Sequence, residues 1–166
     1  IVGHSERRLI FGEEDSWINK KVNAVLTMGM NAIVCIGETL EQRKNMETKK
    51  ILERQIKEGL SNIKSLERVI IAYEPVWAIG TGENAFPEQI EKVNTIIRNW
   101  IKCNYGNDFE YRTPILYGGS VTPENSVELI NTKGTDGFLV GGASLDAQLF
   151  SSIVHQIEKI KLRSLQ

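Results

Sequence analysis

Short apolar, β-branched runs alternate with longer stretches of helical period along the whole chain, and no other feature constrains its fold as much. The runs fall at residues 1–3, 32–37, 69–74, 114–117 and 137–140, and none leads into a hairpin turn. Unbroken apolar runs of this length suit strands covered on both faces, so the repetition implies a parallel sheet. Between the runs, apolar residues recur at spacings of three and four. One stripe is Trp17, Ile18, Val22, Val25 and Leu26, and a second is Ile51, Leu52, Ile56 and Leu60. A third comprises Ile90, Val93, Ile97, Trp100 and Ile101, and the last Leu145, Leu149, Ile153, Ile157 and Ile160. Pro87 and Pro123 fall where helices should begin, at positions where a missing N–H costs nothing.

Five βα units in 166 residues read as one domain over 1–166. Two all-parallel architectures compete, an open doubly wound sheet and part of a (β/α)₈ barrel. A whole barrel takes roughly 250 residues, so at about 30 residues per unit this chain is about three units short. Ile1 and Val2 read as the tail of a strand whose beginning is missing, as processing or an incomplete coding sequence would leave it.

A formal net charge of -1, with Lys and Arg interspersed among Glu as in residues 41–50, points away from nucleic acid. No apolar run is long enough to span a bilayer, so no membrane partner is expected. Cys35 lies in an apolar run and Cys103 near the end of a helical pattern, neither in a metal-binding spacing. Two buried thiols in a reducing cytoplasm are the expectation.

Polar residues and glycines gather just past the end of every run: His4, Glu38, Glu74, then Gly118, Gly119 and Ser120, then Gly141 and Gly142. In a parallel sheet those ends share one edge, where α/β active sites are built. Glu74 ends an apolar run, is followed by Pro75, and precedes a loop rich in apolar residues and glycine, within VIIAYEPVWAIGTG at 69–82. A carboxylate so placed has the makings of a general base whose pKa and hydration a closing loop controls. The two glycine pairs stand before helical patterns, where backbone N–H groups can approach a phosphate closely. His4 meets a possible helix start at Ser5, a setting that keeps an imidazole neutral. His155, among polar residues of the last helical pattern, reads as a surface residue.

Five motifs in order, GHSERR, CIGE, AYEPVWAIGTG, YGGSV and DGFLVGGASL, resemble the triosephosphate isomerase family over essentially the whole chain. The resemblance implies a TIM barrel, here incomplete, and interconversion of dihydroxyacetone phosphate and glyceraldehyde 3-phosphate in glycolysis and gluconeogenesis. It assigns Glu74 as the base, His4 as the neutral imidazole that polarises the enediolate oxygens, and Glu6 a supporting role beside it. Gly80, Ser120, Gly141 and Gly142 match donors of backbone N–H bonds to the substrate phosphate. This enzyme is itself a standard worked case of pKa tuning and loop closure. No metal or organic cofactor is implied; the implied partner is a second copy in a homodimer whose contacts draw partly on a segment with no counterpart here.

The family's first three βα units have no counterpart either, and with them go a lysine and an asparagine of the substrate pocket. Loss of a group that stabilises developing charge typically costs on the order of 10² to 10³ in rate. Glu83 stands where many relatives have lysine. Five strands without closure would leave two edges and an apolar inner face open to water, so the chain is expected to need its missing third. The alternative reading is a non-catalytic, phosphate-binding partial barrel.

Overall fold

Among the described residues, four parallel strands stand side by side in the order in which the chain makes them: β1 (Ala32–Ile36), β2 (Val69–Tyr73), β3 (Ile115–Tyr117) and β4 (Gly137–Phe138). The structure, a computed structural model, describes residues 1–79 and 85–163, with side chains described to residue 160. Ala32 pairs with Val69, Ile71 with Ile115 and Leu116 with Gly137, so the strands run in register with their C-terminal ends at one edge. Doubly wound sheets reverse their strand order at a switch point; the described strands show no reversal and step one neighbour at a time, as in an arc of a TIM barrel.

The first expected strand, 1–3, is reduced to a single bridge from Val2 to Val34. Val2 donates to the Ile33 carbonyl at 2.8 Å and accepts from the Cys35 N–H at 2.9 Å. Beyond that bridge Gly3 turns to φ +73°, where the chain leaves extended conformation. Likewise the run at 137–140 keeps only Gly137 and Phe138 in ladder pairing, because β3 on one side is its sole described neighbour.

Among the described residues, eight helices connect and cover the strands: α1 (Ser5–Phe11), α2 (Asp15–Thr27), α3 (Leu40–Lys44), α4 (Thr48–Gly59), α5 (Pro87–Tyr105), α6 (Asn107–Arg112), α7 (Pro123–Ile130) and α8 (Ala147–Arg163). Pro87 and Pro123 both occupy first-turn positions, and Thr122 and Asn125 close a capping box at the start of α7. The expected stripes bury Ile18 and Val22, then Ile51, Leu52 and Ile56, then Ile90, Val93, Ile97 and Ile101. Three members depart from the expectation: Trp17, Leu145, and Leu149 in the first turn of α8, which is exposed. Trp17 is exposed, because Ile18 and Val22, one turn apart, fix the buried face of α2 and Trp17 lies about 100° away from Ile18. Leu145 ends a 3₁₀ turn, Gly142–Leu145, ahead of α8 and is also exposed.

Cys103 is exposed too, correcting the expectation of two buried thiols: it follows Ile101 by two residues and falls on the far side of α5. Cys35 is buried, and burial pushes its thiol far up. Arg98 of α5 ties the N-terminal ends of β3 and β4 together. Its guanidinium donates to the carbonyls of Glu110 and Thr113, at 2.6 Å each, and to Asp136, which also accepts from the Ile115 N–H at 2.7 Å.

Apolar side chains lie open at both ends of the sheet order. Leu9, Ile10 and Phe11 of α1 follow the Val2 bridge, while Leu145, Leu149, Phe150 and Val154 follow β4. No helix among the described residues is long and apolar enough to cross a membrane.

Candidate active site

Glu74 is the first residue beyond β2 and is almost wholly buried, at 2% exposure. Its main chain is fixed by the neighbouring strand, the Glu74 N–H donating to the Ile36 carbonyl at 2.7 Å. Beneath it lies Gly37, so close that a Cβ there would stand 1.7 Å from the Glu74 carbonyl oxygen. Above it lies Gly118, where a Cβ would meet the Glu74 side chain at 3.0 Å. Two neighbouring strand ends therefore present glycine where the base candidate needs room. For Gly118 this packing is reason enough for glycine, and Gly119 is similarly required by the Tyr117 hydroxyl, so the first glycine pair is explained by contacts within the protein.

The Glu74 carboxylate is held by the segment that follows the Val2 bridge. His4 Nε2 lies 3.0 Å from Oε1, and the Ser5 N–H donates to Oε2 at 3.0 Å. His4 is the N-cap of α1 as expected, and its Nδ1 accepts from the Glu6 N–H at 3.3 Å. This pattern assigns the proton to Nε2, as in a neutral imidazole that donates to whatever oxygen faces it. Glu6 contributes through its backbone, and its own side chain is exposed.

Burial pushes the Glu74 carboxyl above the ordinary carboxylate range, against the opposing pull of His4, the Ser5 N–H, the Cys35 thiol and Arg8. The sign follows. With its folded pKa raised, Glu74 binds its proton more readily in the folded than in the unfolded chain. Its contribution favours folding at low pH and is lost as pH rises from the ordinary carboxylate pKa through the raised one. Any reaction in which Glu74 accepts a proton should gain rate over the upper part of the same interval. A pH profile of the rate, compared with a ¹³C titration of the carboxyl, is expected to give one coincident midpoint above the usual glutamate range.

His4 and Glu74 open onto a cleft of about 410 Å³. Its other walls include Gly118, Gly119, Ser120, Gly141 and Gly142, so the structure brings together every described residue singled out from sequence for a direct role on substrate. Gly80 and Glu83 lie outside the described residues. At Gly141 and Gly142 a Cβ would meet nothing within 4 Å, so packing does not account for glycine in the second pair. The Ser144 hydroxyl donates to the Gly141 carbonyl at 2.6 Å and turns that carbonyl into the 3₁₀ turn.

Glu38 sits elsewhere. It is fully buried, and its Oε1 accepts from Arg43 at 2.9 Å and from the Tyr73 hydroxyl and Trp77 indole N–H at 3.2 Å each. Arg43 also stacks 4.6 Å from the centre of the Trp77 ring. This cluster anchors the 3₁₀ turn Val76–Ala78 that follows Glu74, a role that strand-end position alone did not distinguish from catalysis. His155 is exposed, as expected, its Nδ1 lying 2.7 Å from the Ser151 carbonyl.

A sequential parallel sheet with a buried carboxylate, an imidazole and a glycine-rich cleft at the C-terminal strand ends defines a TIM-barrel type of α/β protein. Comparison with known proteins carries the assignment further: the family described as "Triosephosphate isomerase" matches residues 1–157, and the chain belongs to that family. The triosephosphate isomerase of Thermodesulfovibrio yellowstonii is 52% identical over 154 residues, covering 93% of this chain and 62% of that relative. That of Fusobacterium nucleatum is 49% identical over 156 residues, again 93% and 62% of the two chains. The chloroplastic triosephosphate isomerase of Arabidopsis thaliana is 44% identical over 162 residues, 98% of this chain and 51% of the relative. The chain thus spans about three fifths of the length of the bacterial relatives it matches.

Proposed function

We propose that this chain carries the base, the electrophile and the phosphate site of a triose-phosphate isomerase, acting in the cytoplasm on dihydroxyacetone phosphate and D-glyceraldehyde 3-phosphate. The observation that carries the reading is the His4–Glu74 pair at 3.0 Å, opening onto the cleft that holds Ser120, Gly141 and Gly142. Glu74 takes a proton from the hydroxyl-bearing carbon next to the substrate carbonyl; the C–H electron pair becomes a C=C bond and the carbonyl π pair moves onto oxygen, giving an enediolate. His4 donates its Nε2 hydrogen bond to the oxygens that gain charge. Passing the hydroxyl proton to the former carbonyl oxygen and returning the carbon proton to the neighbouring carbon completes the exchange of ketose and aldose. In the described state both His4 and the Ser5 N–H are engaged with Glu74. Substrate oxygen therefore has to replace the carboxylate on His4, which releases Glu74 towards the reacting carbon.

The phosphate end rests on the open space at Gly141 and Gly142, which a ligand close to the backbone would occupy. Glu6 supports His4 through its backbone N–H, and Gly80 belongs to the same phosphate site by resemblance alone. Ser120→Asp places a like charge against the phosphate, and binding of inorganic phosphate, followed by ³¹P NMR, is expected to weaken at least about tenfold. Unchanged binding would place the phosphate elsewhere. A homodimer belongs to the same reading, since Leu9, Ile10 and Phe11 are three successive exposed apolar side chains that such a contact would bury.

One observation favours the second reading, a phosphate-binding partial barrel without turnover. Among the described residues lining the cleft there is no lysine or arginine. Isomerase assays of the chain, alone and mixed with the upstream third of a relative, separate the two readings.

A further inference from the structure

The ladder between β1 and β2 ends at the pairing of Ile36 with Tyr73, which leaves the next peptide, Gly37, without a strand partner in a buried position. A side chain from another element supplies what the ladder does not. Gln55, on α4 and only 5% exposed, accepts from the Gly37 N–H through Oε1 at 2.8 Å and donates through Nε2 to the Gly37 carbonyl at 3.1 Å. Of the uncharged side chains, only a primary amide offers an acceptor and a paired donor on one rigid plane, and asparagine is a methylene shorter. The peptide so clamped is the one against which the Glu74 carbonyl packs, with no room for even a methyl group between them.

From this chain of contacts we propose that Gln55 is a positioning residue for Glu74, acting through the Gly37 peptide. The proposal rests on the reading of Glu74 as the base but is tested independently of turnover. The Glu74 main chain is supported by the last residue of β1, whose Ile36 carbonyl receives its N–H, and by Gly37 just beyond the strand, beneath its carbonyl. The first is part of the sheet. The second lies past the strand pairing, and Gln55 of α4 holds it. Gln55 thereby links a helix on the outside of the sheet to the depth at which the carboxylate sits between His4 and Gly118. A side chain needed only to satisfy two buried polar groups would serve stability and leave the environment of Glu74 unchanged.

The test uses the 166-residue chain labelled with ¹³C at the glutamate carboxyl carbons. The Glu74 signal is assigned by its loss in Glu74→Gln. The groups facing Glu74 are His4, the Ser5 N–H, Cys35 and Arg8, and all are unchanged in the variants compared. Gln55→Met keeps the length and approximate volume and removes both hydrogen bonds. Asn94→Leu serves as the stability control: Asn94 is a buried amide on α5 that donates to the Lys133 carbonyl and Thr135 hydroxyl, before β4 and so at the opposite end of the strands. The expected result is a downward shift of the Glu74 titration in Gln55→Met, towards the ordinary carboxylate range, with no shift in Asn94→Leu at a comparable loss of thermal stability. If Gln55→Met does not fold, Gln55→Asn is read by the same criterion. An unmoved Glu74 titration in the folded Gln55 variant, or an equal shift in Asn94→Leu, overturns the proposal. Neither result depends on whether Glu74→Gln abolishes isomerisation, so failure here and failure of the functional reading are distinct.

Discussion

Glu74→Gln is expected to lower the isomerisation rate by about 10² to 10⁴-fold, the range typical of losing a positioned proton acceptor, while leaving the fold in place. A glutamine oxygen can still accept from the Ser5 N–H, and the side chain still fits against Gly118, so no cavity opens. What disappears is the ability to take a proton, and with it the buried negative charge. Because burial is the largest influence on this carboxyl and works against its ionisation, removing the charge should not destabilise the chain above the raised pKa. The combination to look for is a large loss of rate with an unchanged or higher thermal midpoint at pH 8. A loss of rate accompanied by unfolding would point to a structural role for the carboxylate.

The second large effect is expected at Gly37→Ala. The added carbon would fall 1.7 Å from the Glu74 carbonyl oxygen, well inside any tolerated contact, and the neighbour is main chain in a strand end rather than a flexible side-chain tip. The backbone has to move, which typically costs about 1 to 3 kcal/mol or somewhat more out of a total stability of about 5 to 15 kcal/mol. The movement falls on Glu74, and displacing a reacting group by an ångström costs on the order of 10² in rate. Gly59→Ala, inside α4, gives the contrast. Its Cβ would meet only Ile18 at an ordinary 3.7 Å, so a stabilisation of about 0.4 to 1 kcal/mol is expected there. Urea denaturation of both variants checks the pair: equal effects would contradict the packing argument.

Much of this arrangement is legible in the residues because strand ends in a parallel sheet are collinear with the sequence. Runs of valine and isoleucine mark the strands, and whatever polar residue follows each run arrives at the same edge. That is how His4, Glu74, Ser120, Gly141 and Gly142 could be gathered before any coordinates. Position past a strand end does not reveal that Arg43, Tyr73 and Trp77 converge on the Glu38 carboxylate. Nor does it reveal that protein atoms, Glu74 for Gly118 and the Tyr117 ring for Gly119, crowd the first glycine pair.

The least legible parts depend on contacts between elements. Nothing in the spacing of Gln55 and Gly37 shows that an amide on a helix clamps a peptide 18 residues earlier. The Arg98 network that joins α5 to the starts of β3 and β4 is hidden for the same reason. Short helices such as α3, where a Thr39–Gln42 capping box matters more than apolar period, carry too few residues for a stripe to emerge. Trp17 shows the reverse error, a large apolar residue counted into a stripe that Ile18 and Val22 already complete.

The His4–Glu74 pair, opening onto the cleft that holds Ser120, Gly141 and Gly142, leads to the central claim. On the proposed reading, Glu74 and His4 act as the proton-transfer pair of a triose-phosphate isomerase. The most direct measurement is ¹H NMR of dihydroxyacetone phosphate in deuterated water, incubated with the chain mixed with the upstream third of a relative such as the Fusobacterium nucleatum enzyme. The account predicts that deuterium enters the carbon next to the carbonyl and that Glu74→Gln abolishes its entry. Deuterium exchange that persists in the Glu74→Gln mixture, or its absence from a mixture that binds phosphate, would contradict it.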